Sequence, residues 1–307
     1  MTPHDTPAIV PHIGFWPRMR ERGSELSKQA RIAFRRNPLG ALALFLTVSL
    51  VLMAVFAPQI ATHDPYEINV QERLQPPSAK HLFGTDATGR DVFSRVMYGS
   101  RISLRVAVMV IVIAGTIGGV IGATAGYFGG LVSEILMRIT DVVLAFPTLV
   151  LALAVNAALG PGLESAMLAI SMVWWTGYAR MIRGQVLAAK NNLYVDAARS
   201  VGASTLRVVV RHILPNCINP TIVQATLDAG YVVLTTAGLS YIGLGAQPPT
   251  PEWGFMISAG RKSMLDSWWW ATFPGLFITL TVIGFNMLGD FLRDLLDPHL
   301  RGRGVGA

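Results

Sequence analysis

The sequence predicts an all-α membrane protein of six transmembrane helices with the N- and C-termini both cytoplasmic. Three observations predict it. Of 307 residues, 52% are hydrophobic and 14% charged, where a soluble domain carries about 25% charged residues; mean hydropathy is +0.47. The apolar residues fall into runs near the 20 or so that a bilayer crossing needs. The basic residues, which set a formal net charge of +7, cluster beside those runs, as expected when positive charge stays in the cytoplasm. They form no single polar face with aromatics between them, so no nucleic-acid partner is expected.

Residues 1–38 are polar and basic, with Arg18, Arg20, Arg22, Lys28, Arg31, Arg35 and Arg36 against Asp5, Glu21 and Glu25. They form a cytoplasmic amino-terminal segment. Arg31 to Arg36 either lies along the membrane surface in an amphipathic helix or belongs to a solvated tail that sets orientation. Pro38 suits a first helical turn, and residues 39–60 run without a charge as the first span, with no cleavage motif. Residues 61–101 are mixed in charge and read as a folded extracytoplasmic loop. In it, Phe83 to Asp91 looks like turns leading into a short helix, with Asp86 and Asp91 as turn and cap residues.

Residues 102–293 hold five further spans. The second, 106–126, carries Gly115, Gly118, Gly119, Gly122 and Gly126, a small-xxx-small spacing that lets helices approach closely in lipid. The third ends at Leu159 and contains Pro147, expected to kink it, with Arg138 and Asp141 spaced i, i+3 as an ion pair. The fourth, about 165–179, is short and contains Trp174 and Trp175. Residues 180–216 are strongly basic, with Asp196 as their single acid, and must be a cytoplasmic insert. The fifth span, 218–245, contains Asp228 near mid-bilayer. A carboxylate there either pairs between helices, the favoured reading, or meets a cationic group in transit. Residues 246–270 form a proline-rich outer loop closed by Trp268, Trp269 and Trp270 as interfacial anchors. The sixth span runs to about Gly289, and 294–307 is a cytoplasmic tail.

Catalytic signatures are missing. Gly254 to Ser263 is the nearest approach to a phosphate loop, but the spacing is one residue too long and Arg261 stands where lysine belongs. The single cysteine, Cys217, permits no intrachain disulfide. The six histidines are scattered without an i, i+4 pair, so no metal site is expected. The chain is not expected to be an enzyme, and a separate motor must drive any active transport.

The insert Asp196-Ala197-Ala198, three residues, Gly202, nine residues, His212, one residue, Leu214-Pro215 resembles the EAA loop of permease subunits in bacterial ABC importers. Asp196 stands for the usual Glu and His212 for the usual Ile. Phe83-Gly84-Thr85-Asp86 with Gly89 to Arg95, Ala125 to Gly130, Gly243 to Gly254, and Gly289 to Asp294 with Leu296-Asp297-Pro298 extend the resemblance to the C-type permease of the dipeptide/oligopeptide/nickel importer group.

That resemblance implies a type I ABC importer permease fold. It also implies partners: a homologous B-type permease, two cytoplasmic ATPases that bind ATP and Mg, an extracytoplasmic substrate-binding protein, and the lipid bilayer. This chain is then expected to bind no cofactor or metal itself. The insert becomes a coupling helix, with Asn191 or Asn192 as its cap and Gly202 as its hinge. Short peptides are the first expected substrates, with nickel chelates, glutathione or another small solute as alternatives. The contrasting class is an ATPase-independent secondary transporter or channel; a scaffold protein is a third possibility.

Overall fold

The computed structural model describes residues 38–296. The expectations for the basic amino-terminal segment, and for Asp297, Pro298, Arg301 and Arg303 in the tail, lie outside the described residues.

The helices are α1 (Pro38–Val55), α2 (Ala57–Ile60), α3 (Val92–Phe128), α4 (Gly130–Leu144), α5 (Thr148–Leu159), α6 (Leu163–Ala189), α7 (Leu193–Ser200), α8 (Thr205–Arg207), α9 (Leu214–Ile242), α10 (Trp253–Gly260) and α11 (Trp269–Leu296). Among the described residues there are no strands. By length and composition, α1, α3, the continuous stretch Thr205–Ile242 and α11 can cross a membrane; α4 with α5 makes a fifth if the bent pair counts as one. The predicted fourth span lies within α6. At 27 residues, or about 40 Å, α6 is long enough, but Ser171, Thr176, Arg180 and Arg183 lower its hydropathy.

The most extensive pairing is α3 with α6, and its cause lies in the sequence. A Cβ on Gly118 would stand 2.6 Å from the Tyr178 Cβ, one on Gly122 2.5 Å from the Ala179 carbonyl, and one on Gly126 2.8 Å from the Val186 Cβ. Glycine at every fourth position lets the two backbones touch. Gly115 and Gly119, on the adjacent ridge, have ordinary van der Waals spacing at 3.9 and 3.6 Å.

The expected loop does not extend to residue 101. Helix α3 begins at Val92, capped by the Asp91 carboxylate, whose Oδ2 accepts the Ser94 N–H at 2.7 Å. A buried stripe through Val92, Val96, Ser103, Val106 and Val110 keeps helical period across the expected boundary, so nothing stops the helix there.

Pro147 does more than kink. Helices α4 and α5 meet at 88°, because proline disfavours helical geometry at Phe146 and removes an N–H from the next turn. The expected Arg138–Asp141 pair is not formed either. Asp141 instead receives Arg180 Nη2 at 2.6 Å, since the turning of α4 against α6 presents a guanidinium from across the interface. Arg183 Nε donates to Ser133 Oγ at 2.9 Å along the same seam.

At the end of the bundle opposite α7, residues 61–91 form a compact knot. Asp86 is fully buried; its Oδ1 accepts N–H groups from Thr88 and Arg90, and its Oδ2 accepts Arg90 Nε at 2.8 Å. The equally buried Arg95 donates to the Pro65 and Pro249 carbonyls, joining the two loops. The tryptophans expected at an interface divide. Trp268 is exposed, whereas Trp269 and Trp270 are buried, because the Trp269 indole is needed to close the knot: its Nε1 donates to the Thr85 carbonyl. Trp253 is likewise buried and donates to the Val96 carbonyl at 3.0 Å.

Candidate functional site

The insert is the most sharply built surface at its end of the molecule. Helix α7 lies on a small apolar cluster, with Val195 and Ala198 packed among Val186, Val208, Ile213 and Cys217. These two anchors are three residues apart, so they share one helix face. The remaining positions, including Asp196 and Ala197, point away from the cluster and are exposed. Asp196 Oδ1 accepts Arg199 Nη1 at 3.2 Å, and the Arg199 guanidinium sits 5.5 Å from the Tyr127 ring centroid.

The helix ends in a fully formed Schellman motif. Gly202 N–H donates to the Arg199 carbonyl at 2.9 Å and Ala203 N–H to the Ala198 carbonyl at 3.1 Å, with Gly202 at φ +79°. That left-handed backbone favours glycine over any residue with a Cβ, and the Ala198–Ala203 contact supplies the apolar closure. Asn192 occupies the N-cap position but its side chain faces backwards, donating to the Ala188 and Ala189 carbonyls. It therefore closes the end of α6 instead of capping α7.

Pro215 does not open a new helix, although proline suits a first helical turn. The helix is continuous from Thr205, and a π-helical turn over Val208–Ile213 leads directly into α9. Leu214 N–H bonds to the Val209 carbonyl five residues back. Pro215 offers no N–H and crowds the preceding turn; the widened turn just upstream accommodates it. Leu214 packs against the apolar cluster beneath α7, while Pro215 is exposed.

Four large apolar side chains at this end face outward: Leu193 and Val201 at 87% and 85% exposure, with Leu206 and Tyr194 beside them. Helix α7 is thus anchored on one face, while its outer face mixes Leu193 and Tyr194 with the polar Asp196, Arg199 and Ser200.

Within the bundle, Asp228 is buried and its Oδ1 accepts Gln224 Nε2 at 3.0 Å. The Trp174 indole and Tyr178 hydroxyl of α6 lie beside the carboxylate. The favoured interhelical reading thus acquires specific neighbours, although the direct hydrogen bond is to its own helix. Gln224 also lines a cleft of about 590 Å³ with Gln185, Asn216, Asn219 and Arg293, polar groups on helices that the sequence reading did not group.

Two of the histidines, far apart in sequence, meet in space. His63, His81 and Asp91 converge, their candidate ligand atoms all within 4.8 Å of one another. Residue spacing gave no sign of this, because the loop fold brings them together. Nearby, the Lys80 ammonium and the His81 ring hold the Glu72 carboxyl below its usual range. Burial pushes the Glu252 carboxyl up, against the N–H groups of Gly254 and Phe255 and the Ser240 hydroxyl, which draw it down.

With this geometry in view, comparison with known proteins is decisive for the family. The family described as "Binding-protein-dependent transport system inner membrane component" matches residues 118–302, and the "N-terminal TM domain of oligopeptide transport permease C" matches residues 25–77. The chain is 49% identical over 267 residues to the probable D,D-dipeptide transport system permease protein DdpC of Escherichia coli K12, covering 87% of this chain and 90% of that protein. It is 40% identical to the dipeptide transport system permease protein DppC of Alkalihalophilus pseudofirmus, covering 89% and 90%. It is 42% identical to the glutathione transport system permease protein GsiD of Escherichia coli O6:K15:H31, covering 88% and 89%. Among solved structures, the inward-facing MetNI methionine ABC transporter superposes with a TM-score of 0.50 at 16% identity, over 67% of this chain and 98% of the other, a likeness of fold. The helical architecture, the insert and these matches have one conclusion: the chain belongs to the family of inner membrane components of binding-protein-dependent transport systems, as a permease subunit of the ABC importer type.

Proposed function

We propose that this chain forms half of the translocation pathway of an ATP-driven importer of short peptides in a bacterial inner membrane, and that residues 193–215 couple it to a cytoplasmic ATPase. The observation that carries the coupling role is the group of outward apolar side chains at this end, Leu193 and Tyr194 on α7 beside the polar Asp196 and Arg199, with Val201 and Leu206 just beyond it, on a helix whose other face is anchored by Val195 and Ala198. A groove on an ATPase would cover these outward side chains. Because the Schellman closure at Gly202 and the apolar anchors fix the helix to α6 and α9, a displacement of α7 moves the bundle instead of fraying the helix.

Under this reading the α7 end is cytoplasmic and the 61–91 knot extracytoplasmic. The partners are a homologous second permease, two ATPase subunits that bind ATP and Mg and carry out hydrolysis, and a substrate-binding protein at the knot end. Alternating access follows when ATP-driven closure of the ATPases shifts the paired permeases between inward- and outward-open states. The relatives named for D,D-dipeptides, dipeptides and glutathione support short amide-linked substrates.

The test uses the whole complex reconstituted in vesicles with its binding protein. Gly202→Leu and Asp196→Lys should leave assembly intact and ATP hydrolysis running while peptide import is lost. Import at the wild-type level in both variants would remove the coupling role. If peptides failed to stimulate hydrolysis while another solute did so, the substrate class would be wrong.

A further inference from the structure

The extracytoplasmic-facing knot contains an arrangement that transport by itself does not require. His81 is buried, with its Nδ1 2.8 Å from Asp91 Oδ1 and its Nε2 3.1 Å from Glu72 Oε2. A neutral imidazole carries one N–H and so can satisfy only one of two flanking carboxylates. A cation on one ring nitrogen removes that conflict. The second imidazole is close by: the His63 and His81 ring centroids are 4.7 Å apart, and His63 Nδ1 lies 3.8 Å from the same Asp91 Oδ1.

We propose that His63, His81 and Asp91 bind a divalent transition-metal ion of the zinc class. Tetrahedral bonds of about 2.0–2.1 Å place neighbouring ligand atoms about 3.3 Å apart. The two separations from Asp91 Oδ1, 2.8 and 3.8 Å, bracket that value, and all three ligand atoms lie within 4.8 Å of one another, so the partly exposed His63 ring must swing inward to complete the set. Asp91 would ligate through Oδ1 while Oδ2 keeps the Ser94 N–H as the cap of α3. With His81 Nδ1 on the metal, its Nε2–H points at Glu72, the carboxylate–imidazole–metal relay that fixes the tautomer of a ligating histidine. Two imidazole nitrogens select against magnesium and calcium.

The setting favours a cation. The three groups line a cavity of about 170 Å³ that also presents Asp64, Glu67 and Glu72 against the single ammonium of Lys80. The cavity leaves room for water or an outside ligand in the fourth position. The ligands come from three separate places, the chain leaving α2, the middle of the knot and the first residue before α3, so a bound ion cross-links the knot to the bundle.

The test takes the full-length chain, purified with its copurifying subunits through a tag free of histidine and stripped with chelator. Zn²⁺ and Co²⁺ titrations, read by bound-metal analysis and by the visible absorption of tetrahedral Co²⁺, should give one more ion per chain than His63→Ala binds. Excess Mg²⁺ should not compete, and Zn²⁺ should raise the melting temperature of the wild type but not of His63→Ala. Glu72→Gln, which leaves all three ligands in place, should weaken Zn²⁺ roughly 10- to 100-fold. His63 is partly exposed, so its replacement tests the site even if His81→Ala fails to fold. Zn²⁺ stoichiometry and Co²⁺ absorption identical in wild type and His63→Ala, or no binding by the wild type, would overturn the proposal.

Discussion

The indole Nε1 of Trp269 donates to the main-chain carbonyl of Thr85 at 3.1 Å, joining two residues 184 positions apart. This single bond fastens the knot before α3 to the first turn of α11, and both partners are buried. Trp269→Phe keeps an aromatic ring but orphans the carbonyl, at a cost of about 1–3 kcal/mol. Thermal unfolding in detergent should show the loss, whereas Trp268→Phe, at an exposed position, should change little. Equal effects of the two would refute the distinction.

The α3–α6 seam makes a positional prediction. At Gly122 a Cβ would meet the Ala179 carbonyl at 2.5 Å and the Arg183 nitrogen at 3.0 Å, both backbone atoms that cannot swing aside. Gly122→Val should therefore cost about 1–3 kcal/mol or more and reduce the monodisperse yield. Gly119→Ala, with 3.6 Å to Ile182 Cδ1, should be tolerated. The opposite order would mean that the seam is misassigned.

Asp141 and Arg180 are each about half exposed, so their pair should contribute only about 0.2–1 kcal/mol. A double-mutant cycle should find that coupling between positions 141 and 180 and close to none between 138 and 141. A larger 138–141 term would restore the pairing that spacing along one helix had predicted.

Glu252 supplies a pH dependence. Its folded-state pKa is raised above 4.5, so the folded chain holds the proton more tightly than the unfolded chain does. Its contribution to stability is greatest below the unfolded value and falls as pH rises through the folded one. The melting temperature of the wild type relative to Glu252→Gln should accordingly decline across that interval. A difference that is flat or rises with pH would contradict the burial that causes the shift.

Much of the fold was legible because its causes are local. Apolar run length marked α1, α3 and α11, the four-residue glycine period marked a close-packing face of α3, and Gly202 marked the end of α7. What escaped depends on partners distant in sequence. Asp141 had Arg138 in reach on its own helix, yet the stronger partner comes from α6. Trp269 and Trp270 carry the composition of interfacial anchors, but the knot covers them. His63, His81 and Asp91 have no periodic relation, since the path of an irregular loop brings them together. Proline chemistry at 147 and 215 was visible; a right-angle break at one and an uninterrupted helix at the other depended on what packs around each.

The wide turn at Val208–Ile213 has a rotational consequence. One residue more in a helix of about 3.6 residues per turn rotates everything beyond it by about 100°. The direction in which Asp228 faces, toward Trp174 and Tyr178, therefore depends on a single surplus residue some distance down the helix axis. Deleting one residue from that turn would barely shorten α9, yet would swing the carboxylate off those neighbours and out of phase with the surface that α7 presents.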